Sequence, residues 1–267
     1  LAEFDGNTAH SSDKYGLRIF EGWFPGPIEH ACKKQWWRGS NTAHTARLTN
    51  FLAYKNGMKG AIATVFGNIQ FDNFVVADNG AGPNAHVTNG KDHGGGVEFT
   101  NNRDSRRPTD MPISDMPGLH NSLVVARTVE GQVGTAGYWP KPGRGIRGLI
   151  TQSPKGITDR CMLGVTNVTF HGFTGGSYFA LEACGKCKDD QGAASTYFQQ
   201  ITMRGAGLDE KYAIAKWTWP HQGVFVDTDG SLLGETCDSS GCSSVSDATF
   251  VAENGLLRDS ECKVVTS

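Results

Sequence analysis

The sequence has no run approaching the roughly 20 apolar residues that a membrane-crossing helix needs. Its longest stretch free of glycine and proline is Ser40–Asn56, which leaves almost no room for long helices. It also lacks an excess of either charge: 25 Lys+Arg against 27 Asp+Glu give a formal charge of −2. A nucleic-acid binder carries a basic footprint, so nucleic acid is not expected as a partner. Leu1 is no initiator methionine, and no basic segment followed by an apolar one comes after it. The chain therefore reads as a fragment or a processed form. There is no Gly-x-Ser-x-Gly nucleophile elbow, no second Cys-x-x-Cys to complete a zinc site and no EF-hand spacing; no metal and no cofactor are expected.

Glycine is abundant, at 35 of 267 residues, about twice the ordinary share of roughly 7 %. It punctuates short apolar alternations that repeat. Three segments, opening at Phe4, Leu48 and Phe71, align without gaps. The last two start 71 − 48 = 23 residues apart, and Phe170 and Phe198 open weaker copies 198 − 170 = 28 apart. A period of this size, built of short strands, fits one turn of a parallel β-solenoid, in which each turn buries its apolar face only against its neighbours. The spacing predicts an all-β chain, one domain over 1–267, with inward ladders formed by Phe4, Leu48 and Phe71. Strict alternation would put Phe71, Asn73 and Val75 on one face and Asp72, Phe74 and Val76 on the other. Asn56-Gly57, Asn79-Gly80 and Asn254-Gly255 are the expected corners, since Asn and Gly tolerate positive φ. Long insertions are expected at Gly22–Ser40, Pro83–Gly96, Arg103–Gly118, Gly131–Gly148 and Leu208–Pro220; Leu208–Trp219 alone has a mildly helical composition.

The most distinctive local sequence is His221 to Ser231, with Asp227 and Asp229 two residues apart. On a strand such a pair points the same way, about 6 to 7 Å apart, a spacing that suits an acid–base couple in sugar hydrolysis. The same residues read as an Asx-type corner with Gly230 in a left-handed conformation, and this reading is preferred because Asp227-Thr228-Asp229 has no companion motifs. A catalytic alternative keeps Asp227, Asp229 and His221. Trp36, Trp37 and Trp139, set among basic residues, are candidate glycan platforms or loop anchors. Seven cysteines and the sequon Asn167-Val168-Thr169 favour a secretory environment with Asn167 glycosylated. Cys184 with Cys187, and Cys237 with Cys242, are candidates for disulfides.

Several strings together resemble a known family. These are Asn7-Thr-Ala-His10 with Tyr15-Gly-Leu-Arg18, Asn50-Phe-Leu-Ala-Tyr-Lys-Asn56 with Gly60-Ala61, and Phe71-Asp-Asn-Phe74 with Ala77-Asp-Asn-Gly-Ala-Gly-Pro83. Cys184-Gly-Lys-Cys187 and His221 to Gly234 follow in the same order. The pattern resembles the parallel β-helix region of fibrocystin and fibrocystin-like proteins, and more distantly the cell-migration-inducing, hyaluronan-binding hyaluronidases. The resemblance implies a right-handed parallel β-helix of the pectin-lyase type with long loop insertions. It further implies an extracellular or cell-surface module of a longer protein, structural or adhesive in role. Partners would be neighbouring domains or copies stacking on the solenoid ends, and extracellular glycans. The hyaluronidase branch implies the alternative, a polysaccharide-acting enzyme or glycan-binding module; no catalytic set of that branch maps onto this sequence residue by residue.

Overall fold

The computed structural model describes residues 3–20, 22–25, 44–80, 94–102, 111–128, 146–152, 162–173, 178–183, 195–204, 223–232, 247–252 and 255–257. These form an all-β structure; a 3-10 turn at Ile113–Asp115 is the one helical element among them. No helix among the described residues is long and apolar enough to cross a membrane.

Strands in chain order alternate between two sheets. The first sheet takes β1 (Thr8–His10), β3 (Ala46–Tyr54), β5 (Ile69–Ala77), the short β7 (Gly118–His120) and β8 (Leu123–Val125), β10 (Leu163–His171) and β12 (Thr196–Arg204). The second takes β2 (Tyr15–Ile19), β4 (Lys59–Phe66), β6 (Gly94–Asn102), β9 (Ile146–Gln152) and β11 (Tyr178–Ala183), in that spatial order. All of these pair in parallel, and Leu48 lies opposite Phe71, the register that the 23-residue offset predicts. The first sheet then continues through β13 (Gly223–Asp227), parallel to β12, into β14 (Asp247–Ala252) and β15 (Gly255–Leu257), which are antiparallel. Gly255 opens β15, antiparallel to β14, while Asn254, the other half of the expected corner, lies outside the described residues.

The core lies between the sheets. Leu48, Phe51, Phe71, Phe74 and Val76 from the first sheet meet Ala61, Ala63, Val97, Phe99, Leu149 and Leu181 from the second. Phe71 stacks on Phe74 at 4.7 Å and touches Phe99 at 5.0 Å, while Phe51 leans on Phe74 at 5.1 Å. Each such pair adds about 0.5 to 1.5 kcal/mol beyond its burial.

Simple alternation fails along the first sheet, for a backbone reason. Asn50, Asn73, Asn121, Asn167 and Gln200 all have φ between 49° and 57°. One left-handed residue turns the strand through a corner, so Phe71 and Phe74 both face inward while Asp72, Asn73 and Val75 face out. Asn reaches this conformation more readily than other side-chain-bearing residues. A second row of corners uses Ser11, Lys55, Asp78 and Gly172 at positive φ. It falls one residue before the expected Asn56 and Asn79. Those two asparagines are buried and bridge neighbouring strands: Asn79 Oδ1 accepts from Asn56 N at 3.0 Å and Nδ2 at 2.9 Å, and Asn79 Nδ2 donates to Ala53 O at 3.0 Å. The 28-residue offset was a false alignment, since Phe198 lies opposite Val165 and Phe170 opposite Met203. The insertions also end earlier than their sequence bounds, because Gly94–Gly96 already belong to β6, Gly118 to β7 and Ile146–Gly148 to β9.

Glycine serves close approach where the second sheet meets the first. Gly60, Gly96 and Gly148 lie side by side on β4, β6 and β9. A Cβ on Gly96 would stand 2.3 Å from the Gly148 carbonyl oxygen and 2.6 Å from Val124 Cγ1. Gly96→Ala should therefore force the strands apart and cost about 1 to 3 kcal/mol, read as a lower urea midpoint with the denaturant slope unchanged. A midpoint equal to that of the unsubstituted protein would refute this packing.

Candidate functional site

Asp227 ends β13 and is 3 % exposed; Asp229 and Ser231 follow in the turn around Gly230, whose φ is 75°. Asp229 Oδ2 accepts from the backbone N–H of Gln200 at 2.7 Å, and Oδ1 accepts from Ser231 N at 3.1 Å and Ser231 Oγ at 2.5 Å. The Ser231 hydroxyl oxygen accepts in turn from Ile201 N at 2.8 Å. Burial pushes the Asp229 carboxyl up, but the bonds from Ser231 and Gln200, with a contribution from Asp227, outweigh it and hold the group below its ordinary value. A carboxyl held ionised in this way is a poor proton donor. Its bonds cap the corner of β12, where Gln200 bends the strand. His221, Trp36, Trp37, Trp139 and all seven cysteines, Cys184, Cys187, Cys237 and Cys242 included, lie outside the described residues, as does Leu208–Trp219. Asn167 is exposed at its corner on β10, and its Nδ2 donates to Asn121 Oδ1 at 2.9 Å.

A second polar row crosses the outer face of the first sheet. Arg47 Nε donates to Gln70 Oε1 at 3.0 Å, and Gln70 Nε2 donates to Ser114 O at 2.8 Å and Met116 O at 3.0 Å. His120 is buried beside it, with Nε2 3.0 Å from Met116 O and Nδ1 2.8 Å from Thr166 Oγ1. A carbonyl only accepts, so Nε2 carries the proton and Nδ1 accepts from the threonine hydroxyl. Burial lowers the basicity of this ring, against opposing effects of Met116 O and Asp72. The imidazole is thereby a neutral clasp for the segment carrying the 3-10 turn.

The third arrangement is the most densely charged among the described residues. On the outer face of the second sheet lie Lys59 on β4, Glu98 on β6, Arg147 on β9 and Glu182 on β11, exposed by only 4, 7, 4 and 0 %. Lys59 Nζ is 2.5 Å from Glu98 Oε2, and Arg147 Nε is 3.1 Å from Glu182 Oε2. Thr100 Oγ1 donates to Glu98 Oε1 at 2.9 Å, and the Arg147 guanidinium lies 4.4 Å from the Phe179 ring centre. Burial pushes the Glu182 carboxyl up to about 7 against the pull of Arg147 and Lys59, and Glu98 adds to the rise. Burial likewise lowers the Arg147 guanidinium, with Glu182 opposing. A pKa near neutrality suits acid–base work, but a carboxyl with no exposed surface meets no substrate in this conformation.

Sequence reasoning missed these four residues. A signal was there: each is a charge beside an apolar stretch of its strand, as in Lys59-Gly-Ala-Ile and Arg147-Gly-Leu-Ile, or Gly-Val97-Glu98-Phe and Ala-Leu181-Glu182-Ala. Among the described residues no three His, Cys, Asp or Glu side chains gather into a metal-ligating group.

No family model matches the chain and no solved structure matches it. Curated relatives do: Fibrocystin-L of Mus musculus and Fibrocystin-L of Homo sapiens are each 26 % identical to it over 267 residues, 98 % of this chain. The chain is a distant relative of fibrocystin-L. It spans 5 % of the length of those two proteins. The strings behind the fibrocystin-like resemblance fall mainly on β1 to β5 and the corners between them. There Asn50 and Asn73 turn the strands, Asn56 and Asn79 join them, and Gly60 lets the sheets approach. Where they fall on described residues, those strings serve architecture.

Proposed function

We propose that residues 1–267 form one right-handed parallel β-helix domain of the pectin-lyase type, an extracellular structural or adhesive module of a fibrocystin-like surface protein. The observation that carries this reading is the alternation of parallel strands between two sheets in a chain related to fibrocystin-L over nearly its whole length. The three polar clusters fit it, since each holds backbone or neighbouring strands together. The cysteines and the exposed sequon at Asn167 are in keeping with a secreted, N-glycosylated protein. Partners would be adjoining domains or further copies at the ends of the stack, and extracellular glycans.

A polysaccharide-cleaving or glycan-binding module using Asp227, Asp229 and His221, with Trp36, Trp37 and Trp139 as sugar platforms, is the second reading; it is favoured by the contact between the Asp227 and Asp229 side chains. One experiment separates the two. The chain and its Asp229→Asn variant are incubated with hyaluronan and with polygalacturonate, and product length is followed beside the urea midpoint. The expected result is no cleavage by either protein and a variant destabilised by about 1 to 2 kcal/mol through the weakened corner. Cleavage by the unsubstituted chain that the variant loses would overturn the structural reading.

A further inference from the structure

We propose that the alternating charges of Lys59, Glu98, Arg147 and Glu182 are an order key: they specify which strand of the second sheet lies beside which. The need for one follows from the repeats. β4, β6, β9 and β11 all present an apolar side chain at one matched inner level, Ala61, Val97, Leu149 and Leu181, although the next level differs, with Ala63, Phe99, Thr151 and Ala183. Apolar contact at the first of these levels does not by itself distinguish β4 lying on β9 from β4 lying on β6. The connecting segments, such as 81–93 and 129–145, are long enough for a repeat to be bypassed.

The outer face breaks that degeneracy. Along the register, Lys59, Gly95, Arg147 and Phe179 occupy one row, and Ile62, Glu98, Ile150 and Glu182 occupy the row three residues on. The strands are therefore of two kinds in strict alternation. β4 and β9 carry a base in the first row and isoleucine in the second; β6 and β11 carry glycine or phenylalanine in the first and glutamate in the second. In the observed order every base has an acid on the next strand, as the two ion pairs show. Bypassing one repeat would bring Lys59 beside Arg147, or Glu98 beside Glu182, at the strand spacing of about 4.8 Å, with no acid or no base between them. Like charges so close and so buried are strongly unfavourable. Arg18 on β2 takes no part: it is exposed and lies over the Phe20 ring at 3.9 Å. Each ion pair gives little net stability once desolvation is counted, yet together the four distinguish the native order from its nearest competitors.

The test refolds the full chain from urea under oxidising conditions with cysteine pairs that report order. Thr64 and Thr100 are matched neighbours on β4 and β6, both half-buried on the outer side, and Gln152 on β9 is matched to Thr100. Thr64→Cys with Thr100→Cys traps the native order. Thr64→Cys with Gln152→Cys traps β4 on β9, because in the native order these positions are two strands apart, about 10 Å, beyond disulfide reach. Cross-links are identified by peptide mass. Three backgrounds are compared: the unsubstituted quartet, a neutral quartet (Lys59→Met, Glu98→Gln, Arg147→Met, Glu182→Gln) and an inverted quartet (Lys59→Glu, Glu98→Lys, Arg147→Glu, Glu182→Lys). Of these two reporter cross-links, the unsubstituted and inverted chains should give the native one and not the other. The neutral chain should give both, with the native fraction reduced at least threefold, or should not refold to a single state at all. A neutral chain that yields only the native cross-link at the unsubstituted yield would overturn the proposal. So would an inverted chain that fails to form it.

Discussion

Arg147→Met should destabilise the protein by about 3 to 5 kcal/mol at pH 8, the size expected when one partner of a buried ion pair is removed and the other stays charged. The substitution keeps most of the side-chain volume, so the loss is electrostatic. Glu182 has no exposed surface, and without Arg147 burial acts on it opposed chiefly by Lys59. The sign of the pH dependence follows. In the intact protein the folded pKa of Glu182, about 7, lies above its ordinary 4.5. The folded state therefore holds the proton more tightly, and the stability this confers is complete below about pH 4.5 and disappears as pH rises through about 7. Across that window the group contributes on the order of 3 kcal/mol. In Arg147→Met the folded pKa rises further, so much of the loss seen at pH 8 should be absent at pH 5.5. Glu182→Gln added to Arg147→Met should restore most of the stability at pH 8 and abolish the difference between the two pH values. Urea unfolding of all three proteins at both pH values checks this. An Arg147→Met deficit equal at pH 5.5 and pH 8 would refute the buried, uncompensated carboxylate.

Phe71→Ala is expected to cost roughly 3 to 5 kcal/mol. Phe71 is fully buried where Phe74 and Phe99 both contact it. The cavity would open between the two sheets, where strands hydrogen-bonded along their length can close in only partly. Val75→Ala is the matched control, because Val75 lies on the same strand but beyond the corner on the outer, half-exposed side; its cost should stay below about 1 kcal/mol. Under strict alternation the two residues would share a face and both substitutions would be severe. Comparable losses in the two variants would therefore restore that simpler picture and remove the corner at Asn73.

How far the sequence could be read depended on the range of the interaction. The match of Leu48 to Phe71 was legible because a repeat puts equivalent residues at a fixed offset, and stacking then follows from the geometry of parallel strands. The corners were half legible. Asn and Gly announced that the chain turns, but period-2 alternation assumes an unbroken extended backbone, and one residue at positive φ shifts every later side chain to the other face. Lys55 and Gln200 carry no composition signal for that conformation. The antiparallel ending of the first sheet was hidden, since Asn-Gly marks a solenoid corner and a hairpin equally well. In the candidate site, the Asp227–Asp229 spacing was visible, whereas Gln200 and Ser231 as its donors were not, because one of them lies a whole repeat away. The Lys59 to Glu182 quartet was missed for the same reason: a lone charge in a strand reads as a solvated face until the strands on either side supply its opposite.

The corner row of the first sheet has an electrical consequence. Asp5 Oδ1 accepts from Asn50 Nδ2, and Asn50 Oδ1 accepts from Asn73 Nδ2. Asp72 Oδ1 accepts from Asn121 Nδ2 at 2.8 Å, and Asn121 Oδ1 from Asn167 Nδ2 at 2.9 Å. An ionised carboxylate can only accept, so each aspartate turns the amide beside it N–H first, and that amide turns the next. The side-chain dipoles of each run thus align head to tail with their positive ends toward the lower-numbered strand, in miniature the arrangement of peptide dipoles in a helix. Asp5 and Asp72 sit where an acidic residue sits at a helix N-terminus. Asp5 bears the mark of it: although fully exposed, its carboxyl is held below the ordinary value by Thr49 and Asn50. The direction of every amide in a run is set by one residue at its end.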